Sequence, residues 1–288
     1  MSTDPGALAG VGLPRVTTAP VMGTVASVHV YGAVDPVIEA EAVRACLAEL
    51  RDADRIFSTY RDDSAVCRIA RGELALADAP EVVREVHDRG VAWVARTGGR
   101  FSTAWRGDAD PTAPRWDPTG IVKGWAADRA HARLRPLLAA GASAVGLGVG
   151  GDLVVATAPA SDHEWRIGIA DPHRPGAVLA TLLLRDGAVA TSGTAERGAH
   201  IIDPRTGAPA SGRVASATVV AEDLESADVL ATAAVVAGWD DLGWVADAGT
   251  RSGMLVGDDG RVRRWVGPAE VVVGALRDAD ALSPRRAA

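Results

Sequence analysis

The sequence predicts an α+β protein, with mixed sheets and packed helices in a single unit. Three observations predict it. Segments that alternate apolar and polar residues read as strands, and longer segments with apolar residues at helical spacing read as helices. The two kinds follow one another without a βαβ rhythm. No internal repeat or linker interrupts the 288 residues, so one large unit accounts for the chain.

Taken in order, residues 1–18 are rich in Gly and Pro and read as a flexible N-terminal segment; the domain runs over 19–275 and a flexible tail over 276–288. Val21-Met22-Gly23-Thr24 opens a strand in which Val25, Ser27, His29 and Tyr31 alternate with Ala26, Val28 and Val30. Residues 36–57 form an amphipathic helix with Ile38, Ala42, Val43, Cys46, Leu47 and Leu50 at helical spacing. A polar break at 57–64 and a short apolar segment at 65–70 precede a second helix at 80–96. The glycine-rich turn 97–101 enters a short element, and the turn 116–120 leads into a helix that continues to about residue 138. Residues 144–156 read as strand, glycine bend, strand, and 165–170, 177–184, 188–190 and 215–220 as further strands. Residues 224–237 form a helix, with Asp223 as N-cap and Gly238 as its stop. Residues 253–255 and 262–265 pair as a hairpin around Asp258-Asp259-Gly260.

Composition narrows the function classes. Hydrophobic residues at 48% and charged residues at 23% fit a globular protein with a substantial core. The net charge is −7 and no Lys/Arg cluster stands out, which argues against nucleic acid or an anionic membrane surface as partner. Cys46 and Cys67 lie outside any CxxC or metal spacing and read as free thiols. No basic, then apolar, leader opens the chain, no lipidation cysteine is seen, and no stretch is long enough to span a bilayer; the expected location is the cytoplasm.

Four constellations could carry chemistry. In the stretch from Thr191 to Gly207, Thr191-Ser192-Gly193 reads as a strand ending at a loop whose amides can approach an anion, and His200, Asp203 and Arg205 lie at strand ends around an Asp-Pro-Arg-Thr-Gly turn. A hairpin with a hydrogen-bonded histidine reads equally well. Asp228 and Thr232 are i and i+4 on an otherwise apolar helix, their Cβ atoms about 5–6 Å apart. A carboxylate there must be paired, solvated at a cleft or bound to a cation, and one carboxylate with one hydroxyl suits Mg²⁺; the alternative is a carboxylate serving the helix dipole. Asp117 before Pro118-Thr119-Gly120, with Lys123 following, places an acceptor and a cation at a helix start. Lys123 is the single lysine in a chain that otherwise uses arginine, which suggests a site needing a compact point charge. Gly150-Gly151-Asp152 is a strand-end glycine pair that either packs against a flat ligand or makes a tight bend; it does not match GxGxxG. Serine-hydrolase and zinc readings are poor: Ser192 has no GxSxG context, and His29, His87, His131, His163, His173 and His200 form no ligand-spaced pair.

In this order the segments resemble the ApbE family, the FAD:protein FMN transferases. The resemblance runs from Met22-Gly23-Thr24 to the AD-x-x-A-T segment at 227–232, with His-Ile-Ile-Asp-Pro-Arg-Thr-Gly at 200–207 between them. It implies an ApbE-like, T-fold-type unit that binds FAD and Mg²⁺ and transfers FMN to a Thr or Ser hydroxyl of an acceptor protein, releasing AMP. It further implies that Met22, Tyr60, Arg100, Phe101, Ser102, Asp117, Lys123 and Ile202 contact the nucleotide. Gly120, through its carbonyl, Asp228 and Thr232 would ligate Mg²⁺, and His200 would be the base for the acceptor hydroxyl, with Lys123 and Asp228 completing the catalytic set. The chain departs from the family pattern at Ser102 and Ala231, where the family usually has acids, and in a shortened 102–117 segment. Two other readings stay open: an FAD pyrophosphatase, and an FAD-binding module without turnover.

Overall fold

The structure is a computed structural model that describes residues 13–106, 114–193, 201–210, 212–244, 248–267 and 269–275. Its strands are β1 (Arg15–Val21), β2 (Thr24–Gly32), β3 (Ala104–Arg106), β4 (Pro114–Trp116), β5 (Ala142–Val149), β6 (Asp152–Thr157) and β7 (Trp165–Ala170). They continue as β8 (Val178–Leu184), β9 (Gly187–Gly193), β10 (Val214–Ala221), β11 (Ser252–Gly257), β12 (Arg261–Val266) and β13 (Ala269–Ala275). The helices are α1 (Pro36–Phe57), α2 (Ala65–Ala70), α3 (Glu81–Arg96), α4 (Thr119–Ala132), α5 (Pro136–Ala139) and α6 (Leu224–Ala237).

Nine strands build one sheet in the order β1-β2-β5-β6-β9-β10-β11-β12-β13, and each pairing among them is antiparallel. Antiparallel neighbours need only tight turns, which is why glycine pairs punctuate the chain. The β5–β6 turn is Gly150-Gly151, with φ of 60° and 96°, and Val149 pairs with Asp152 across it. The β1–β2 turn is Met22-Gly23, with φ of 52° and 70°. Both residues lie in the left-handed region, as a two-residue hairpin turn of this hand requires, although for Met22 that conformation is disfavoured by about 1–2 kcal/mol.

One face of the sheet buries Val28, Val30, Leu147, Val154, Ala190, Ala217 and Val219 against α1, α4 and α6. The other face carries the β7–β8 hairpin: Trp165 packs on Ala144 and Val155, and Ile169 and Leu179 pack on Met254 and Val256. Each fully buried aliphatic side chain contributes about 1.5–3 kcal/mol. α1 begins where Asp35 accepts the amides of Val37 and Ile38 at 2.8 and 3.3 Å, and it turns Cys46, Leu50, Ala53 and Phe57 inward. α6 has the N-cap Asp223 and the stop Gly238, as its residue types predict.

Two contacts lock α4 to α6 and thereby set the site. Gly124 allows the helices to touch: a Cβ there would lie 2.7 Å from Glu225 Cα. Asp128, one turn further, accepts the first amides of α6, Leu224 N at 2.8 Å and Glu225 N at 2.9 Å. Burial pushes its pKa up to about 7, against the two amides that favour the carboxylate.

The differences from the sequence reading have physical reasons. β1 begins at Arg15, inside the segment read as flexible; it is an edge strand whose first four residues are exposed, so no apolar alternation marks it. The helix read to about 138 stops at Ala132, and Pro136 starts the separate α5. Thr191-Ser192-Gly193 does not leave the sheet: the three residues are the end of β9, paired with Thr218, Ala217 and Ser216. Cys46 is buried while Cys67 is half-buried, and both are free thiols.

Candidate functional site

α4 and α6 bring the chain's one lysine against two buried carboxylates. Lys123 Nζ contacts Asp152 Oδ2 and lies 3.3 Å from Asp228 Oδ2. Asp152 is 3% exposed and Asp228 6%. Burial works against the lysine's charge, but Asp228 and Asp152 outweigh it and raise its pKa. Burial likewise pushes Asp228 up to about 6, opposed by Lys123 and reinforced by Asp152. Lys123 and Asp228 thus attract each other across a low-dielectric seam.

Asp152 extends the cluster to the sheet. Its second oxygen accepts Thr191 N at 3.0 Å, so the amide that the sequence offers to an anion is already taken. On the next residue, Ser192 Oγ stands 3.0 Å from Thr232 Oγ1, and Thr191 Oγ1 stands 2.9 Å from Thr218 Oγ1. Asp228, Thr232, Ser192 and Lys123 therefore form one polar seam in otherwise apolar surroundings. The structure places Lys123 beside Asp228, and Asp152 of the Gly150-Gly151-Asp152 bend beside Lys123, while Thr232 meets Ser192. An acid opening the apolar strand Asp152-Leu153-Val154-Val155 is the signal that marks Asp152.

The other predicted residues make contacts of their own. Asp117 Oδ1 accepts Thr119 N at 3.0 Å and its own N–H donates to Thr103 O at 2.7 Å, which fixes the entry to α4. Gly120, in the first turn of α4, packs under the Phe101 ring; a Cβ there would stand 3.0 Å from Phe101 Cε2. Phe101 is only 3% exposed, so a ligand contact from this residue falls to its backbone. Arg100 is paired with Asp241 at 2.5 Å and donates to Thr97 O, and Ser102 Oγ bonds within its own turn to Ala104. Met22 packs on the main core beside the Gly150 turn, where Thr24 approaches. Tyr60 stands 97% exposed, with no enclosed ring face. Ile202 pairs with Pro209 across a hairpin whose turn is built by Asp203, which accepts Arg205 N and pairs with its guanidinium at 2.8 Å. Asp203 and Arg205 thus fix the turn, whose Gly207 has φ 73°. His200 lies outside the described residues.

The donor set suits a hard divalent cation. Asp228 offers a buried carboxylate paired with the ammonium of Lys123, and Thr232 offers a hydroxyl one turn along the same face. Among the described residues no group of three or more His, Cys, Asp and Glu side chains is arranged to hold a metal. A cleft of about 400 Å³ lies at the opposite end of the same strands, lined by Asp128, His131, Arg135, Asp186 and Arg251 among others. It holds none of the predicted site residues.

An antiparallel sheet with helices on one face, and a lysine–carboxylate seam where α4 and α6 meet, defines an α+β protein. The family model for the ApbE family matches residues 22–107 and 110–254. The chain belongs to the ApbE family. An FAD:protein FMN transferase of Treponema pallidum (strain Nichols) is 40% identical over 140 residues, 43% of this chain and 38% of that protein. One from Rhodobacter capsulatus is 36% identical over 162 residues, 52% of this chain and 29% of that protein. The matched stretch spans well under half the length of these relatives. The crystal structure of the ApbE protein from Thermotoga maritima superposes with a TM-score of 0.73 at 25% identity, covering 87% of this chain and 96% of that one. The apo flavinyl transferase ApbE of Pseudomonas stutzeri gives 0.68 at 22% identity, covering 88% and 95%, a likeness of fold. Among the described residues no helix is long and apolar enough to cross a membrane.

Proposed function

We propose that this protein is an FAD:protein FMN transferase: it moves FMN from FAD to a Thr or Ser hydroxyl of an acceptor protein and releases AMP. The observation that supports this most is the Lys123–Asp228 pair, with Thr232 one turn along α6 from Asp228, in a chain of the ApbE family. Mg²⁺, held by Asp228, Thr232 and the Gly120 carbonyl, would neutralise charge on the pyrophosphate and its leaving group. Lys123 binds a phosphate oxygen with its ammonium. Asp117, Met22, Tyr60 and the backbones of the 100–102 turn and Ile202 hold the rest of the nucleotide. His200 takes the proton of the acceptor hydroxyl as that oxygen bonds to the FMN phosphorus and the bond to the AMP oxygen breaks. Electrons and atoms balance with no further reactant.

The test is incubation with FAD, Mg²⁺ and a candidate acceptor, read by AMP release and in-gel flavin fluorescence. The proposal expects AMP together with covalently fluorescent acceptor. AMP without labelled protein would instead make the protein an FAD pyrophosphatase, and tight FAD binding without AMP would make it a binding module.

A further inference from the structure

We propose that Lys123, hydrogen-bonded to Asp152, is also the resident counter-ion of Asp228 in the cation-free protein, and that Asp152 is the positioning residue that retains the lysine when a divalent cation takes Asp228. The inference rests on the metal assignment proposed above for Asp228.

Three observations carry it. First, one ammonium touches both carboxylates at once: Lys123 contacts Asp152 and stands 3.3 Å from Asp228. Exchange of the shared contact for Asp152 alone needs only rotation about the terminal bonds of the lysine, since the bond to Asp152 is already made. An ammonium with three donors and no fixed plane can make that exchange, whereas a guanidinium fork is held to one bidentate partner. This is the position where the chain departs from its uniform use of arginine. Second, Asp152 is anchored independently of the lysine. Its Oδ1 accepts Thr191 N at 3.0 Å, and its backbone follows the Gly150-Gly151 turn that fixes the start of β6. Asp152 therefore stays in place when Lys123 moves, and its carboxylate, 3% exposed, retains a counter-charge. Third, Asp228 sits on a helix whose other buried side chains are almost all apolar. Without a cation such a carboxylate would be left unpaired, and Lys123 prevents that.

The two aspartates thus have separate jobs. Asp228 faces whichever cation is present, and Asp152 keeps the lysine charged, aligned and close to the nucleotide phosphate after it has been displaced.

Calorimetric titration of Mg²⁺ alone into the FAD-free protein tests this without turnover, using wild type, Lys123→Met, Asp152→Asn and the double variant. Asparagine keeps an oxygen for Thr191 N, so the sheet contact survives. Lys123→Met should tighten Mg²⁺ binding by removing the competing cation. Asp152→Asn should weaken it, because the lysine then depends on Asp228 alone, and the weakening should be at least about threefold smaller in the Lys123→Met background. Asp152→Glu, which restores the charge, should return the affinity toward wild type. Should Asp152→Asn fail to fold, Asp152→Ser, which likewise removes the charge, takes its place in both backgrounds. Unchanged or weaker binding by Lys123→Met would overturn the counter-ion role, and an equal effect of Asp152→Asn in both backgrounds would overturn the role of Asp152. If no variant binds Mg²⁺, the metal assignment itself fails, an outcome distinct from binding that ignores Lys123.

Discussion

Lys123 on α4 and Asp228 on α6 face each other at 3.3 Å across the contact between the two helices. They are 105 positions apart in the chain, and their meeting depends on how closely α4 and α6 pack. The candidate site is therefore a product of helix packing, and its chemistry depends on the shape of the ammonium.

Arginine cannot replace the lysine on this account. Lys123→Arg keeps the charge but presents a planar fork to a space bounded by Asp152 and Asp228. We expect AMP release to fall by about tenfold or more, with a melting temperature near wild type. Wild-type rates in the arginine variant would show that only net charge matters there.

Thr232 offers a second test of the cation site. Thr232→Val removes the hydroxyl that stands 3.0 Å from Ser192 Oγ while keeping the side-chain shape. The Mg²⁺ concentration needed for half-maximal AMP release should rise about tenfold, and Thr232→Ser should restore much of the loss. An unchanged Mg²⁺ requirement in the valine variant would remove Thr232 from the site.

Gly124 links stability to the site. A methyl at this position would meet Glu225 Cα at 2.7 Å and Leu224 O at 2.8 Å, both backbone atoms that cannot swing aside. Despite the better helix propensity of alanine, Gly124→Ala should destabilise by roughly 1–3 kcal/mol and lower the melting temperature by roughly 2–12 °C, with activity reduced as α4 and α6 separate. A raised melting temperature would show that the helices have room.

His131 sets an acid limit on stability. It is 3% exposed; burial, with Arg135 nearby, pushes its pKa down to about 4, while Val145 O and Asp186 pull weakly the other way. The unfolded chain takes up a proton near pH 6.5 and the folded chain only near 4. The contribution is therefore fully present above pH 6.5 and lost as the pH falls toward 4, on the order of 3 kcal/mol in all. His131→Gln should flatten the pH dependence of the melting temperature across that window. An equally steep curve in the variant would assign the acid sensitivity to other groups.

Much of the fold was legible because the local signals agree with the tertiary structure. α1 and α6 have the bounds that apolar spacing, Asp223 and Gly238 indicate, and the Gly150-Gly151 bend joins two strands as read. β1 was not legible, because an edge strand with exposed residues carries no apolar alternation, and β13 was missed as well. At the site, the spacing of Asp228 and Thr232 and the solitary Lys123 point to a cation and an anion partner. That Asp152 completes the cluster depends on the pairing of β5, β6 and β9, a long-range register that no local pattern encodes. The same pairing turned Thr191 N from a free donor into a bonded one.

The most direct test of the central claim is the Mg²⁺ dependence of AMP release from FAD in wild type and in Asp228→Ala. The account predicts release by wild type that EDTA abolishes and Mg²⁺ restores, and a fall of about a hundredfold or more in Asp228→Ala at saturating FAD, with the fold retained. AMP release that is indifferent to EDTA, or undiminished in Asp228→Ala, would contradict it.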